Sequence, residues 1–144
     1  MTTSIPEPTT RTGWLGRAIV YAVIYLCIGV VFATLAARAG LVGARFWRFA
    51  AWLCSAIAFG THVQFERVTV GRSPVSTAWH AALAAALGAC GLALSAIIHR
   101  HLAGLRPSGL LGAALIIWPI ITGVPAFLVG MAASMLMQPR GRTA

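Results

Sequence analysis

Four long runs of uncharged, mostly apolar residues constrain this sequence more than any other feature. A helix needs about 20 apolar residues to cross about 30 Å of hydrocarbon, and a spanning helix bonds its own backbone polar groups. The sequence therefore predicts an all-α integral membrane protein, a four-transmembrane-helix bundle within residues 14–138. The predicted spans are about 18–37, 49–65, 74–98 and 110–137.

Composition agrees with this class. Apolar residues make up 59% of the 144 residues and charged residues only 9%, whereas about a quarter of an ordinary soluble domain is charged. The length allows one domain. Residues 1–13 are rich in Thr and Pro and are predicted to form a disordered polar tail, and residues 139–144 a basic tail.

The net charge of +9 comes from eleven Arg residues and two acids. These Arg residues lie in tails and turns beside apolar runs, which favours contact with anionic headgroups over nucleic acid. The expected partners are an anionic lipid bilayer and other membrane chains or a second copy of this chain. The predicted headgroup contacts are Arg38, Arg45, Arg48, Arg100, Arg140 and Arg142.

Membrane orientation is weakly specified. Four spans put both termini on one side, with six Arg residues in the tails and middle turn against five in the other two loops. Such near balance also permits insertion in both orientations. We expect a multi-pass protein of a bacterial inner membrane with both termini in the cytoplasm.

Acidic residues are too scarce for most hydrolytic chemistry. Only Glu7 and Glu66 are acidic, which excludes paired carboxylates and Ser-His-Asp triads inside the bundle. The three cysteines, Cys27, Cys54 and Cys90, lie in separate apolar runs and are interpreted as packing residues. The sequence predicts no catalytic residue, no metal site and no cofactor.

Ionisable residues are concentrated at one end of the predicted bundle, beside the turn between the second and third spans. The turn 66–72 joins the second and third spans, so His62, Glu66 and His80 approach the same membrane surface. These groups could form a proton path. In the alternative that we prefer, Glu66 pairs with an Arg of the turn, Arg67 or Arg72, and the two His side chains bond across the hairpin.

A metal or haem site is a further alternative at the same end. His62 and Glu66 are four residues apart and can share a metal, with His80 as a third ligand, or the two His residues could hold haem iron. The ligands are few and lie at different depths, which makes this the least favoured interpretation.

Small residues recur at helical spacing in the third and fourth spans, a pattern typical of close helix packing in lipid. We expect the third helix to be central and its hydroxyls to bond across the seam. Pro119 and Pro125 are predicted to kink the fourth helix. The predicted packing residues are Ala84, Gly88, Gly91, Ser95, Gly112, Gly123 and Gly130.

Three functions remain open. The first is a non-catalytic subunit or accessory/assembly protein of a membrane complex. The second is a small oligomeric proton-coupled transporter or channel that uses His62, Glu66 and His80, since broken helices commonly line transport sites. The third is a haem- or metal-binding membrane protein. The scarcity of reactive groups favours the first.

Overall fold

The computed structural model describes residues 12–105 and 109–137. Of this part of the chain 92% is helical and none of it is strand, which confirms the all-helical prediction. A π-helical turn, Phe65–Thr69, directly follows the second helix. The four α-helices are α1 (Thr12–Arg38), α2 (Leu41–Gln64), α3 (Pro74–Leu102) and α4 (Gly109–Leu136).

Three of these helices are long and apolar enough to cross a membrane. The candidate spans are Gly13–Arg38, Pro74–Leu102 and Gly112–Leu136. α2 is long enough but less apolar, because Arg45 and Arg48 lie in its first half and polar residues in its last turn. The described structure therefore supports a helical membrane protein with three candidate spanning helices.

The loop predicted between the first two spans, 38–48, is wrong. α1 runs to Arg38 and α2 already begins at Leu41, with Ala44 N–H donating to the carbonyl of Gly40 at 2.8 Å. The side chains of Arg45 and Arg48 are exposed on the helix. Long Arg side chains reach water from a helix surface, so these charges did not require a loop.

The connection from α2 to α3 begins with the π-helical turn, which buries Glu66 while leaving Phe65 exposed. Gly71 then adopts a left-handed conformation with φ +73°, which costs little only for glycine. Ser73 caps α3, since its Oγ accepts from Ser76 N–H at 3.3 Å. The predicted turn at 66–72 is thus partly helical.

α3 lies at the centre, with α1 and α4 packed against it and α2 packed mainly against α1. Its buried residues are almost all Ala or Gly, including Ala84 and Gly88. A Cβ added at Gly88 would lie 2.8 Å from Tyr25 Cβ and 3.2 Å from the Ala22 carbonyl oxygen. The α1–α3 approach therefore depends on the missing side chain at this position.

Predicted packing residues also lie at the seam between α3 and α4. A Cβ at Gly123 would lie 3.3 Å from Ala86 Cβ, and one at Gly130 would lie 3.4 Å from Ala78 Cα. Such spacing is close to ordinary contact, so glycine brings the backbones of the two helices together here.

Three other predicted packing positions lie elsewhere. Gly91 faces α1, where a Cβ added to it would lie 3.3 Å from the side chain of Leu26. Gly112 has no atom of the described residues within 4 Å of its Cβ position. The Ser95 hydroxyl donates to the Leu92 carbonyl of its own helix at 2.9 Å and not across the seam, because that acceptor is already within reach.

Pro119 and Pro125 both lie inside α4, which is continuous from Gly109 to Leu136. The Thr122 hydroxyl donates to the Trp118 carbonyl at 2.8 Å, a bond that often accompanies bending. The kink itself stays a prediction.

Four of the Arg residues predicted to contact headgroups are exposed, namely Arg38, Arg45, Arg48 and Arg100. They lie at the end of the helices away from Glu66. Arg140 and Arg142 lie outside the described residues.

Candidate functional site

Glu66 is the centre of the polar end of the molecule, and its side chain is 1% exposed. Arg17 Nε donates to Oε1 at 2.9 Å. Arg72 Nε lies 2.6 Å from Oε2, and His80 Nδ1 lies 3.3 Å from the same oxygen. We call these four residues the Glu66 cluster. Both carboxylate oxygens therefore have partners.

Each member of the Glu66 cluster comes from a different element. Arg17 lies in α1, Glu66 in the π-helical turn, Arg72 in the following loop and His80 in the second turn of α3. Hydrogen bonds to a charged group are roughly twice as strong as neutral ones. The cluster therefore ties α1 to the α2–α3 connection at one end of the protein.

The Glu66 carboxyl lies between the second and third predicted spans. Burial alone would raise its pKa, but hydrogen bonds from Arg17 and His80 and the charges of Arg72 and Arg17 outweigh that effect and lower the pKa below its usual value. The carboxylate is thus ionised at neutral pH. One negative charge faces two permanent positive charges, which leaves the cluster cationic.

Acid should weaken the Glu66 cluster. Because the pKa is lower in the folded state than the ordinary value of 4.5, the cluster's contribution to stability is present above that value and is lost as pH falls through the folded-state pKa. We expect wild type to lose more stability than Glu66→Gln between about pH 7 and about pH 3. Unfolding in mild detergent measures this, and equal losses would contradict it.

The His80 ring contacts Trp14, Arg72 and Glu66. It stacks on Trp14 with ring centroids 5.1 Å apart and an interplanar angle of 7°. Its Nε2 lies 3.5 Å from Arg72 Nη1, while Nδ1 faces Glu66. Since a guanidinium group beside Nε2 would repel a metal cation, His80 does not fit the least favoured alternative, in which it is a metal or haem ligand.

His62 is buried but does not join the Glu66 cluster. Its ring stacks on Tyr21 of α1, with centroids 3.8 Å apart and planes 4° apart. Neither ring nitrogen has a hydrogen-bond partner among the described residues. The predicted bond between His62 and His80 is absent from this part of the structure, because His62 faces α1 and not α3.

No group of three His, Cys, Asp or Glu side chains in residues 12–105 and 109–137 is placed to hold a metal ion. The proposed triple of His62, Glu66 and His80 is therefore not brought together as a ligand set. Only Glu66 and His80 of these three residues are within bonding distance.

Arg67 does not pair with Glu66, contrary to one predicted alternative. Its Nε donates to the Ser134 carbonyl at 2.9 Å, and its Nη1 donates to the Arg72 carbonyl at 2.9 Å. Ser134 lies in the last turn of α4, where carbonyl groups lack helical partners and favour a cation. The two adjacent side chains Glu66 and Arg67 thus fix α1 and α4, respectively, to the same turn.

Sequence reasoning missed Arg17, which precedes the first predicted span. A usable signal was present: a lone buried acid requires a cation, and Arg17 is one of three described Arg residues at that end of the helices. Trp14, one turn before Arg17, was likewise missed as a neighbour of His80.

Comparison with protein family models, with curated proteins and with solved structures finds no match to this chain. Function is therefore inferred from the site. An ionised carboxylate with both oxygens bound to cations is poorly placed to accept a proton near neutral pH, and it is well placed to hold helices together.

Proposed function

We propose that this chain is a non-catalytic subunit or accessory/assembly protein of a membrane complex. The observation that carries the proposal is the neutralisation of Glu66, the single acid among the described residues, by Arg17, Arg72 and His80. Breaking such a buried pair is costly, so the polar end serves to fix the helices. The chemical work belongs to a partner.

The exposed apolar side chains of α2 support the proposal of a protein partner. Its buried residues, His62 and Val63, lie in its last turn. Upstream of them it exposes large apolar side chains, among them Phe49, Trp52 and Leu53. We propose that α2 is the fourth span despite its lower apolarity, since a neighbouring protein chain can accommodate polar residues that lipid disfavours.

We also propose that α4 is bent within the membrane. Its 28 residues correspond to about 42 Å of straight helix, longer than the hydrocarbon layer of about 30 Å. Pro119 and Pro125 each remove a backbone hydrogen bond. A kink near these residues, together with tilt, would fit the helix into the bilayer.

We also propose a bacterial inner membrane location with both termini and the Glu66 cluster at the cytoplasmic face. For the orientation, the support is the count of six Arg residues on that side against five on the other.

The second candidate, a proton-coupled transporter or channel, is favoured by one observation. His62 is buried, and its ring nitrogens have no partner among the described residues. A buried imidazole is a candidate proton carrier in a membrane protein.

Purification of the tagged protein from native membranes in mild detergent separates the two candidates. We expect a different membrane protein to be retained in stoichiometric amount, as shown by mass determination of the complex. Trp52→Ala should release most of that partner, because Trp52 is 80% exposed on α2 and Trp is enriched among the residues that carry most of the binding energy of an interface.

Trp118→Ala is the matched control, since Trp118 is also exposed but lies on α4. Retention of the partner by Trp52→Ala would remove α2 as the interface. A homo-oligomer without another protein would instead favour the transporter.

A further inference from the structure

An apolar groove of about 590 Å³ lies beside the Glu66 cluster, between α3, α4 and the start of α1. Its volume is within the range of about 300–1,000 Å³ usual for small-molecule sites. His80 belongs both to the groove and to the cluster. The other walls include Trp14, Trp79, Pro119, Val124 and Phe127.

The groove has the length of part of a hydrocarbon chain. Along α4 its lining extends from Pro119 to Phe127, which is about 12 Å at 1.5 Å per residue. Along α3 it extends from Trp79 to Ala86, about 10 Å. Since these stretches lie in two candidate spanning helices, an acyl chain of the surrounding bilayer can enter from the side.

The end of the groove at His80 carries excess positive charge. The side chains of Arg17 and Arg72 are 34% and 24% exposed, so both remain partly accessible, although Arg72 Nη1 also donates to Ser76 Oγ at 3.3 Å. Among the described residues, only the Glu66 carboxylate opposes them. This charge favours an anionic headgroup and disfavours a cationic ligand.

We propose that the groove binds one acyl chain of an anionic phospholipid, with the lipid phosphate held by Arg17 and Arg72 beside His80. A second copy of this chain is a poorer occupant, because it carries a net charge of +9 and would bring further cations to a cationic site. The acyl chain of an anionic lipid complements the apolar walls of the groove, and its phosphate complements the positive charge at the end of the groove.

The test uses the full-length protein, stripped of lipid in mild detergent, and native mass spectrometry of the lipid adducts. The probes are phosphatidylglycerol and phosphatidylcholine with identical chains. We expect phosphatidylglycerol to bind roughly thirtyfold more tightly, as about 1 kcal/mol for each of the two Arg residues near the headgroup implies. Equal affinity for the two lipids would overturn the proposal.

Val124→Phe tests the groove, because Val124 is exposed and lines it. Val129→Phe is the matched control, since Val129 is equally exposed on α4 but lies outside the lining. We expect Val124→Phe to lose most of the preference for phosphatidylglycerol and Val129→Phe to keep it. Unchanged binding in Val124→Phe, or a protein dimer that only this variant disrupts, would refute the assignment.

Discussion

Glu66→Gln is expected to lower the free energy of unfolding by about 3 kcal/mol, at the lower end of the range for breaking a buried ion pair. The variant leaves Arg17, Arg72 and His80 facing a neutral amide in a site where the glutamate side chain was 1% exposed. Partial exposure of Arg17 lets solvent screen part of the loss. Chemical unfolding in mild detergent measures the change.

Arg100→Gln is the control, because Arg100 is exposed at the opposite end of α3 and should change stability by less than about 0.5 kcal/mol. A second check combines Glu66→Gln with Arg72→Gln. Each single variant leaves the other residue of the pair without its opposite charge. The double variant should therefore be more stable than the sum of the two losses implies. Strict additivity would contradict the direct ion pair.

Gly88→Ala is expected to have the second large effect, a loss of about 1–3 kcal/mol from overpacking. The added Cβ would lie 2.8 Å from Tyr25 Cβ and 3.2 Å from the Ala22 carbonyl oxygen. Those atoms belong to or lie next to the α1 backbone, so the two helices must separate. The midpoint of unfolding in the same detergent reports the loss.

Two glycines serve as graded controls for Gly88→Ala. Gly16 has no atom of the described residues within 4 Å of its Cβ position, so Gly16→Ala should stabilise α1 by up to about 1 kcal/mol. Gly29→Ala should be intermediate, because the three atoms nearest its Cβ position all belong to the Leu92 side chain, at 2.5–3.0 Å, and a side chain can shift more easily than backbone. Equal effects at Gly16 and Gly88 would refute close α1–α3 packing.

Hydropathy predicted the helices because lipid imposes both a length and a helical backbone on a spanning segment. It predicted the start of α2 wrongly, since Arg45 and Arg48 can lie on a helix surface without ending it. Small-residue spacing indicated Gly88, Gly123 and Gly130 as contact positions, and they do lie between helices. Gly112 has the same spacing, so spacing alone does not identify the neighbour.

The contacts of the site were predictable only between residues that are close in sequence. Arg72 follows Glu66 by six residues, and their pairing was among the expected alternatives. Arg17 is 49 residues from Glu66, and that contact depends on the rotation of α1 about its axis. α1 is apolar on nearly all sides, so its sequence marks no inward face. The same ambiguity concealed the stacking of His62 on Tyr21.

The two contacts of the π-helical turn also set an order of events during synthesis. Glu66 is synthesised 49 residues after Arg17, which takes roughly 2–10 s at 5–20 residues per second. Ser134 is synthesised 67 residues after Arg67. Both residues of the α1 contact are therefore synthesised before those of the α4 contact are complete, and a chain truncated before α4 still contains both Arg17 and Glu66.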